Sequence, residues 1–181
     1  RRPTLEASTL PGICYAAEAW YRAEVERIFL KEWLLVGRAE QIPNPGDYMT
    51  EEIVGETVLL VRGRDARIRA FSPSCRHRGT KIVSGHGNCR AFVCPYHRWT
   101  YALDGELVGT PDMDPPKNFD RAKYGLLPIR LETWDGFLFI NFDERARSLQ
   151  DHLGDLPHLL ARYRPAELVH TRQKTYRVDC N

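Results

Sequence analysis

Cys75-Arg-His77 and Cys94-Pro-Tyr-His97, separated by sixteen residues, constrain this chain more than any other feature. Within each box the Cys and His lie two or three positions apart, so one tight turn aims both side chains at the same small volume. The stretch between the boxes is long enough for a hairpin that sets the second turn opposite the first. Gly79, Gly85 and Gly87 allow the positive φ angles that such turns need, and Pro95 stiffens the second loop. The expected result is a preformed claw of two thiolates and two imidazoles. That donor set suits an asymmetric two-iron cluster, with both sulfurs on one iron and both nitrogens on the other, carrying electrons one at a time.

Other readings compete for the same residues. A structural zinc site also uses two Cys and two His, although zinc fingers usually order them Cys, Cys, His, His rather than alternating them. A Cys75–Cys94 disulfide would leave the histidines without a purpose. Chance clustering is the third reading, in a chain with five Cys and six His. Cys89 is a rival ligand by proximity to Cys94 but lacks a following His. His86, His152, His158 and His170 have no partner at ligand spacing, so each reads as an ordinary surface histidine.

Turn signals organise the rest. Residues 17–31 place Val25, Ile28 and Phe29 on one face with charges opposite, which predicts a helix. Residues 33–36, 48–53, 57–62 and 68–71 read as strands, bounded by Asn44-Pro-Gly-Asp47, Gly55 and Arg62-Gly-Arg-Asp65. The claw is inserted after them. Residues 126–133 and 137–142 read as a hairpin turned at Trp134-Asp-Gly136. Ser148 is a candidate N-cap for a helix through residue 163, and residues 167–178 read as a polar strand. The expectation is a mainly β, small antiparallel fold with an N-terminal helix and a short C-terminal helix. At 181 residues the chain can bury one main core. Its net charge of +2 does not point to nucleic acid, and no apolar run approaches a membrane span. The odd cysteine count and an opening Arg-Arg-Pro without a signal-peptide pattern predict a reducing cytoplasm in which Cys14, Cys89 and Cys180 need no partner.

The two boxes resemble the Rieske [2Fe–2S] motif, C-x-H then C-x-x-H, with Cys75, His77, Cys94 and His97 in register as the cluster ligands. The resemblance implies the Rieske-type, ISP domain-like form of the fold, with the cluster ligands in a hairpin subdomain. Respiratory-type members carry an extra Cys in each box, where this chain has Thr80 and Tyr96, and a hydroxyl donor where it has Trp99. Tyr101 remains as a donor to a cluster sulfur. Fewer such donors imply a potential in the lower part of the Rieske range. Around the cluster, Arg78, Tyr96, Trp99 and Tyr101 form the expected second layer, and Arg76, Lys81 and Arg98 add positive charge suited to an acidic redox partner.

Residues 29–38 (FLKEWLLVGR), 94–106 (CPYHRWTYALDGE) and 134–141 (WDGFLFIN) are similar to the N-terminal half of the α subunits of Rieske non-haem iron oxygenases. These are the ring-hydroxylating dioxygenases of aromatic hydrocarbon catabolism and their monooxygenase and N-demethylating relatives. One departure is Arg98, where the family's commonest residue is Gly. The resemblance implies an N-terminal arm and first strand (1–40), a Rieske domain (41–145, cluster subdomain about 73–112), and a helix and strand (146–181) leading towards a catalytic domain. It implies electrons arriving from a reductase or ferredoxin, a mononuclear Fe(II) in that catalytic domain, and assembly as α3 or α3β3. The Fe(II) pattern D-x-x-H-x-x-x-x-H begins at Asp155-Leu-Pro-His158, but Tyr163 stands at the second His. The chain therefore reads as the electron inlet of an oxygenase and part of something longer, with a stand-alone Rieske ferredoxin as the alternative.

Overall fold

The computed structural model describes residues 7–178 other than Asp112, Pro115 and Gln173, so Cys180 lies outside the described residues. Among these residues ten strands build two antiparallel sheets: β1 (Leu34–Arg38), β2 (Asp47–Ile53), β3 (Glu56–Arg62), β4 (Ile68–Phe71), β5 (His86–Asn88), β6 (Phe92–Val93), β7 (Thr100–Tyr101), β8 (Leu107–Gly109), β9 (Pro128–Trp134) and β10 (Phe137–Asn141). Seven of them run in the order β1-β10-β9-β4-β3-β2-β5, and β6-β7-β8 form the smaller sheet. The expected antiparallel β fold is present.

β3 shows why the main sheet sits where it does. Its apolar run is continuous because both of its faces are covered. Leu59 and Val61 enter one core with Phe71, Cys75, Cys94, Trp99 and Tyr101, while Val58 and Leu60 enter another with Val36, Ile42, Leu138 and Ile140. All four β3 side chains are fully buried. One strand therefore backs both the cluster-side core and the opposite core.

The hairpins follow their turn residues. β9 and β10 are joined by Asp135 and Gly136, at φ 47° and 83°, the two left-handed positions of a tight two-residue turn. Gly87 departs from expectation: it lies in β5 without a positive φ, and a Cβ there would stand 3.0 Å from the Tyr48 hydroxyl. A close approach by Tyr48, not turn geometry, is what a side chain would meet at that position.

Three terminal expectations are corrected. The N-terminal helix divides into α1 (Ile13–Ala16), α2 (Glu18–Glu24) and a π-helical turn at Val25–Phe29, where the Leu30 amide donates to the Val25 carbonyl at 2.9 Å. None of its residues is buried, and Ile28 is 49% exposed, because the described residues offer no surface to cover that face. At the other end Ser148 does cap a helix, accepting from the Asp151 amide, but that helix, α3 (Leu149–Leu153), stops at Gly154 with φ 54°. The chain restarts as α4 (Leu156–Leu160) with Pro157 in its first turn, then as 3-10 turns at Ala161–Tyr163 and Pro165–Glu167. The predicted strand over 167–178 is not formed among the described residues. Among the described residues this polar segment has no neighbouring strand to pair with, and an unpaired segment has no ladder to hold it extended.

Candidate cluster site

The two boxes fold as copies of one loop. In the first, the Cys75 amide donates to the Thr80 carbonyl at 2.8 Å and the Gly79 amide to the Cys75 carbonyl at 2.8 Å. In the second, the Cys94 amide donates to the Trp99 carbonyl at 2.8 Å and the Arg98 amide to the Cys94 carbonyl at 3.0 Å. A Ser74–Lys81 bridge closes the first loop, and the β6–β7 ladder closes the second. Both loops turn at their fifth residue in the left-handed region, Gly79 at φ 71° and Arg98 at φ 58°.

Arg98 thus occupies a glycine position without being glycine. An Arg98→Gly substitution is expected to leave the midpoint of thermal unfolding within about 2 °C of the parent, because relief of roughly 1 kcal/mol of strain is offset by backbone entropy of similar size. Arg98→Val, β-branched at the same φ, is expected to lower it clearly. A circular-dichroism melt of both variants checks the pair; equal midpoints would mean the loop relaxes out of this conformation.

The four side chains are ordered by depth. Cys75 and Cys94 are 3% and 2% exposed, whereas His77 and His97 sit half-buried at the rim with ring centroids 4.6 Å apart and planes at 70°. Both cysteines are free thiols, so the disulfide alternative is not formed. Nδ1 of His97 is buried with no hydrogen-bond partner, which suits an atom reserved for a metal. The His77 imidazole is held below its ordinary pKa by burial, then by His97 and Arg78, which favours the neutral, ligating form. Among the described residues no three Cys, His, Asp or Glu side chains gather closely enough to hold a single metal ion. Two thiolates and two imidazoles are the donor set that a [2Fe–2S] core of this type takes.

The surrounding layer is aromatic. Trp99, 3% exposed, stacks on His77 with centroids 4.9 Å apart and planes within 12°. Behind it lie Phe119 at 5.9 Å and Tyr124 at 6.0 Å, both edge-on, and stacked on each other at 4.7 Å. These last two were not legible beforehand. They arrive from the irregular stretch after β8, where Asp120 caps the turn that carries Tyr124. The clue available in the sequence was two aromatics in an otherwise polar loop. Tyr96 is 58% exposed and lies against His97 at 3.7 Å between centroids.

Tyr101 is fully buried; its hydroxyl lies 3.3 Å from Cys75 Sγ and accepts from the Arg76 amide at 2.9 Å. Burial and the Cys75 bond push its pKa well above the ordinary phenol range, so it stays protonated as a donor. Arg76, Arg78 and Arg98 are exposed beside the loops. The charge of Lys81 is instead matched by Glu52 at 2.9 Å. Cys89 is half-buried, its thiol pushed up by burial, and its amide donates to Gly46; it packs against the cluster-side core rather than within either loop. His158 and Tyr163 are exposed, and His152 lies 3.4 Å from Glu32.

Residues 32–130 match the family described as the Rieske [2Fe-2S] domain. The chain belongs to this family. The Rieske chain is 42% identical to the carnitine monooxygenase oxygenase subunit of Escherichia coli (strain K12), over 83% of its own length and 41% of that protein. It is 36% identical to the benzene 1,2-dioxygenase subunit alpha of Pseudomonas putida, over 97% of its length and 40% of the relative. The crystal structure of the quaternary ammonium Rieske monooxygenase CntA in complex with substrate gamma-butyrobetaine matches with a TM-score of 0.81 at 35% identity, covering 85% of this chain and 44% of that one. The chain spans about two fifths of the length of the curated relatives it matches. No helix among the described residues is long and apolar enough to cross a membrane.

Proposed function

We propose that this chain is the Rieske domain of a terminal oxygenase α subunit, with Cys75, His77, Cys94 and His97 holding a [2Fe–2S] cluster. A bound cluster of this type supplies reversible one-electron storage. The observation that carries the reading is the doubled loop, in which two buried sulfurs lie beneath two rim imidazoles, one with an orphaned Nδ1. Electrons would enter from a reductase or ferredoxin at the exposed Arg76, Arg78 and Arg98. They would pass to a mononuclear Fe(II) in the catalytic domain of an α3 or α3β3 assembly, for O₂-dependent hydroxylation or dealkylation in the cytoplasm. The named relatives carry carnitine and benzene in their names at comparable identity, 42% and 36%, so the cluster domain does not separate those substrates. Similarity to oxygenase subunits favours this reading over a stand-alone ferredoxin.

Within this function Trp99 fixes the plane of the His77 ring and excludes water from that side. Tyr101 donates to a ligand sulfur and so stabilises the more negative, reduced state. Iron, sulfide and zinc analysis with visible and electron paramagnetic resonance spectra tests the assignment. Two irons and two sulfides per chain are expected; stoichiometric zinc without visible absorption would overturn it.

Tyr101→Phe is expected to retain the cluster and lower its midpoint by about 45 mV, the one-electron equivalent of a hydrogen bond roughly 1 kcal/mol stronger in the reduced state. An equilibrium redox titration of both proteins reads this. An unmoved midpoint would mean the hydroxyl serves only the Arg76 amide.

A further inference from the structure

Arg38 is a charged residue only 8% exposed, at the end of edge strand β1. A guanidinium out of water needs partners, and each of the three nitrogens of Arg38 has one. Its plane lies over Phe137 at 4.5 Å, and Nε donates to Glu40 Oε1 at 2.5 Å. Nη1 donates to the Pro165 carbonyl at 3.3 Å, and Nη2 to the Leu168 carbonyl. Glu40 Oε1 also accepts from the His170 amide at 3.0 Å. Gly136 leaves space for this fork, since a Cβ there would stand 2.9 Å from Nη2.

Every contact on the far side is to backbone, more than 120 residues away in sequence. The acceptors are the carbonyl of Pro165, which also takes the Leu168 amide at 3.1 Å, and the carbonyl of Leu168, the residue that ends the 3-10 turn at Pro165–Glu167. Apolar burial contributes little there. Pro165 is buried, but Leu168 and Val169 are 50% and 67% exposed. The approach is set by Arg164, which turns the chain through the left-handed region at φ 49°. Glu40 is ionised at neutral pH: burial pushes its carboxyl up, but hydrogen bonds from its own backbone, Arg38 and the His170 amide bring it below the ordinary range.

We propose that Arg38 and Glu40 form a latch that docks residues 165–170 on the rim of the β1–β10 edge and fixes the direction in which the chain leaves the Rieske fold. The latch recognises backbone shape, so it holds a direction without demanding particular side chains in the docked segment. Resting on the oxygenase reading, the two residues are positioning residues: the exit direction sets where the cluster lies relative to the portion that receives its electrons. The latch itself is separable from that reading, since it involves none of the four proposed ligands.

Hydrogen–deuterium exchange of the cluster-loaded chain tests it, comparing the parent with Arg38→Met and with Glu40→Ala. Amides of residues 166–172 are expected to exchange at least about tenfold faster in both variants. Amides of β9 and β10, the visible spectrum and the cluster midpoint are expected to stay as in the parent. Unchanged exchange at 166–172 would overturn the latch. A rise spread evenly over β1, β9 and β10 would overturn it too, making Arg38 a general support of the sheet. If Arg38→Met fails to fold, Glu40→Ala decides alone through the His170 amide. Loss of visible absorption in the parent would sink the cluster assignment while leaving the exchange comparison readable.

Discussion

A His97→Cys variant is expected to keep a two-iron cluster but to titrate at a midpoint at least about 100 mV lower than the parent. Clusters with four Cys titrate near −400 mV, whereas those with two His span about −150 to +300 mV. The cause is charge: a neutral imidazole is replaced by a thiolate, and the added negative charge disfavours a further electron. The rim position of His97 makes the exchange sterically mild, since its half-buried ring is bordered by the exposed ring of Tyr96 rather than by packed core. His77 remains as the single imidazole, so the shift covers only part of the span between the classes. The measurement is a redox titration followed by electron paramagnetic resonance. An unaltered midpoint would remove His97 from the ligand set, and loss of all cluster would mean that the second loop does not tolerate a sulfur at its rim.

The largest expected loss of stability from adding one methyl group is at Gly46. It lies at φ 91°, where a side chain is strained, and a Cβ would stand 2.5 Å from the Cys89 carbonyl oxygen, a backbone atom. The same residue donates to the Arg62 carbonyl at 2.8 Å and accepts from the Cys89 amide at 3.0 Å. Gly46→Ala therefore combines about 1–2 kcal/mol of strain with loss of roughly one hydrogen bond, about 1 kcal/mol. A sum of about 2–3 kcal/mol corresponds to a melting point lowered by about 4–12 °C in a chain of this size. Gly79→Ala is the control: φ is 71°, but nothing lies within 4 Å of the added methyl. Only the strain applies there, so its loss should be smaller by roughly 1 kcal/mol, about 2–4 °C. Equal melting points for the two variants would show that backbone conformation, and not the approach of Cys89, sets the requirement at Gly46.

Legibility in the sequence followed the range of the interaction responsible. The paired loops at residues 75–80 and 94–99 could be read because their geometry links residues at most five apart. β3 could be read because burial on two faces leaves an uninterrupted apolar run, and the Asp135-Gly136 turn because few residue pairs accept two positive φ angles. The break at Gly154 was missed because the helical pattern continues across it, and only the backbone shows the interruption. The strand expected over 167–178 failed for a different reason: residue type suggests a strand, but a partner decides it. Phe119 and Tyr124 reach Trp99 from an irregular loop, and Arg38 reaches Leu168 across 130 positions. No local pattern encodes contacts of that kind. The neutralisation of Lys81 by Glu52, 29 residues away, was hidden for the same reason.

The self-closure of the two ligand loops bears on how the site comes into being. Each is tied by its own backbone bonds across four or five residues, a ring small enough to form on the sub-microsecond scale of short loop closure. The slower step is pairing the distant strands that carry the loops into register, such as β9 with β4 across more than fifty residues. On the proposed assignment, metal delivery would fill a receptacle already shaped, and the timing of maturation would belong to sheet assembly rather than to the ordering of the loops.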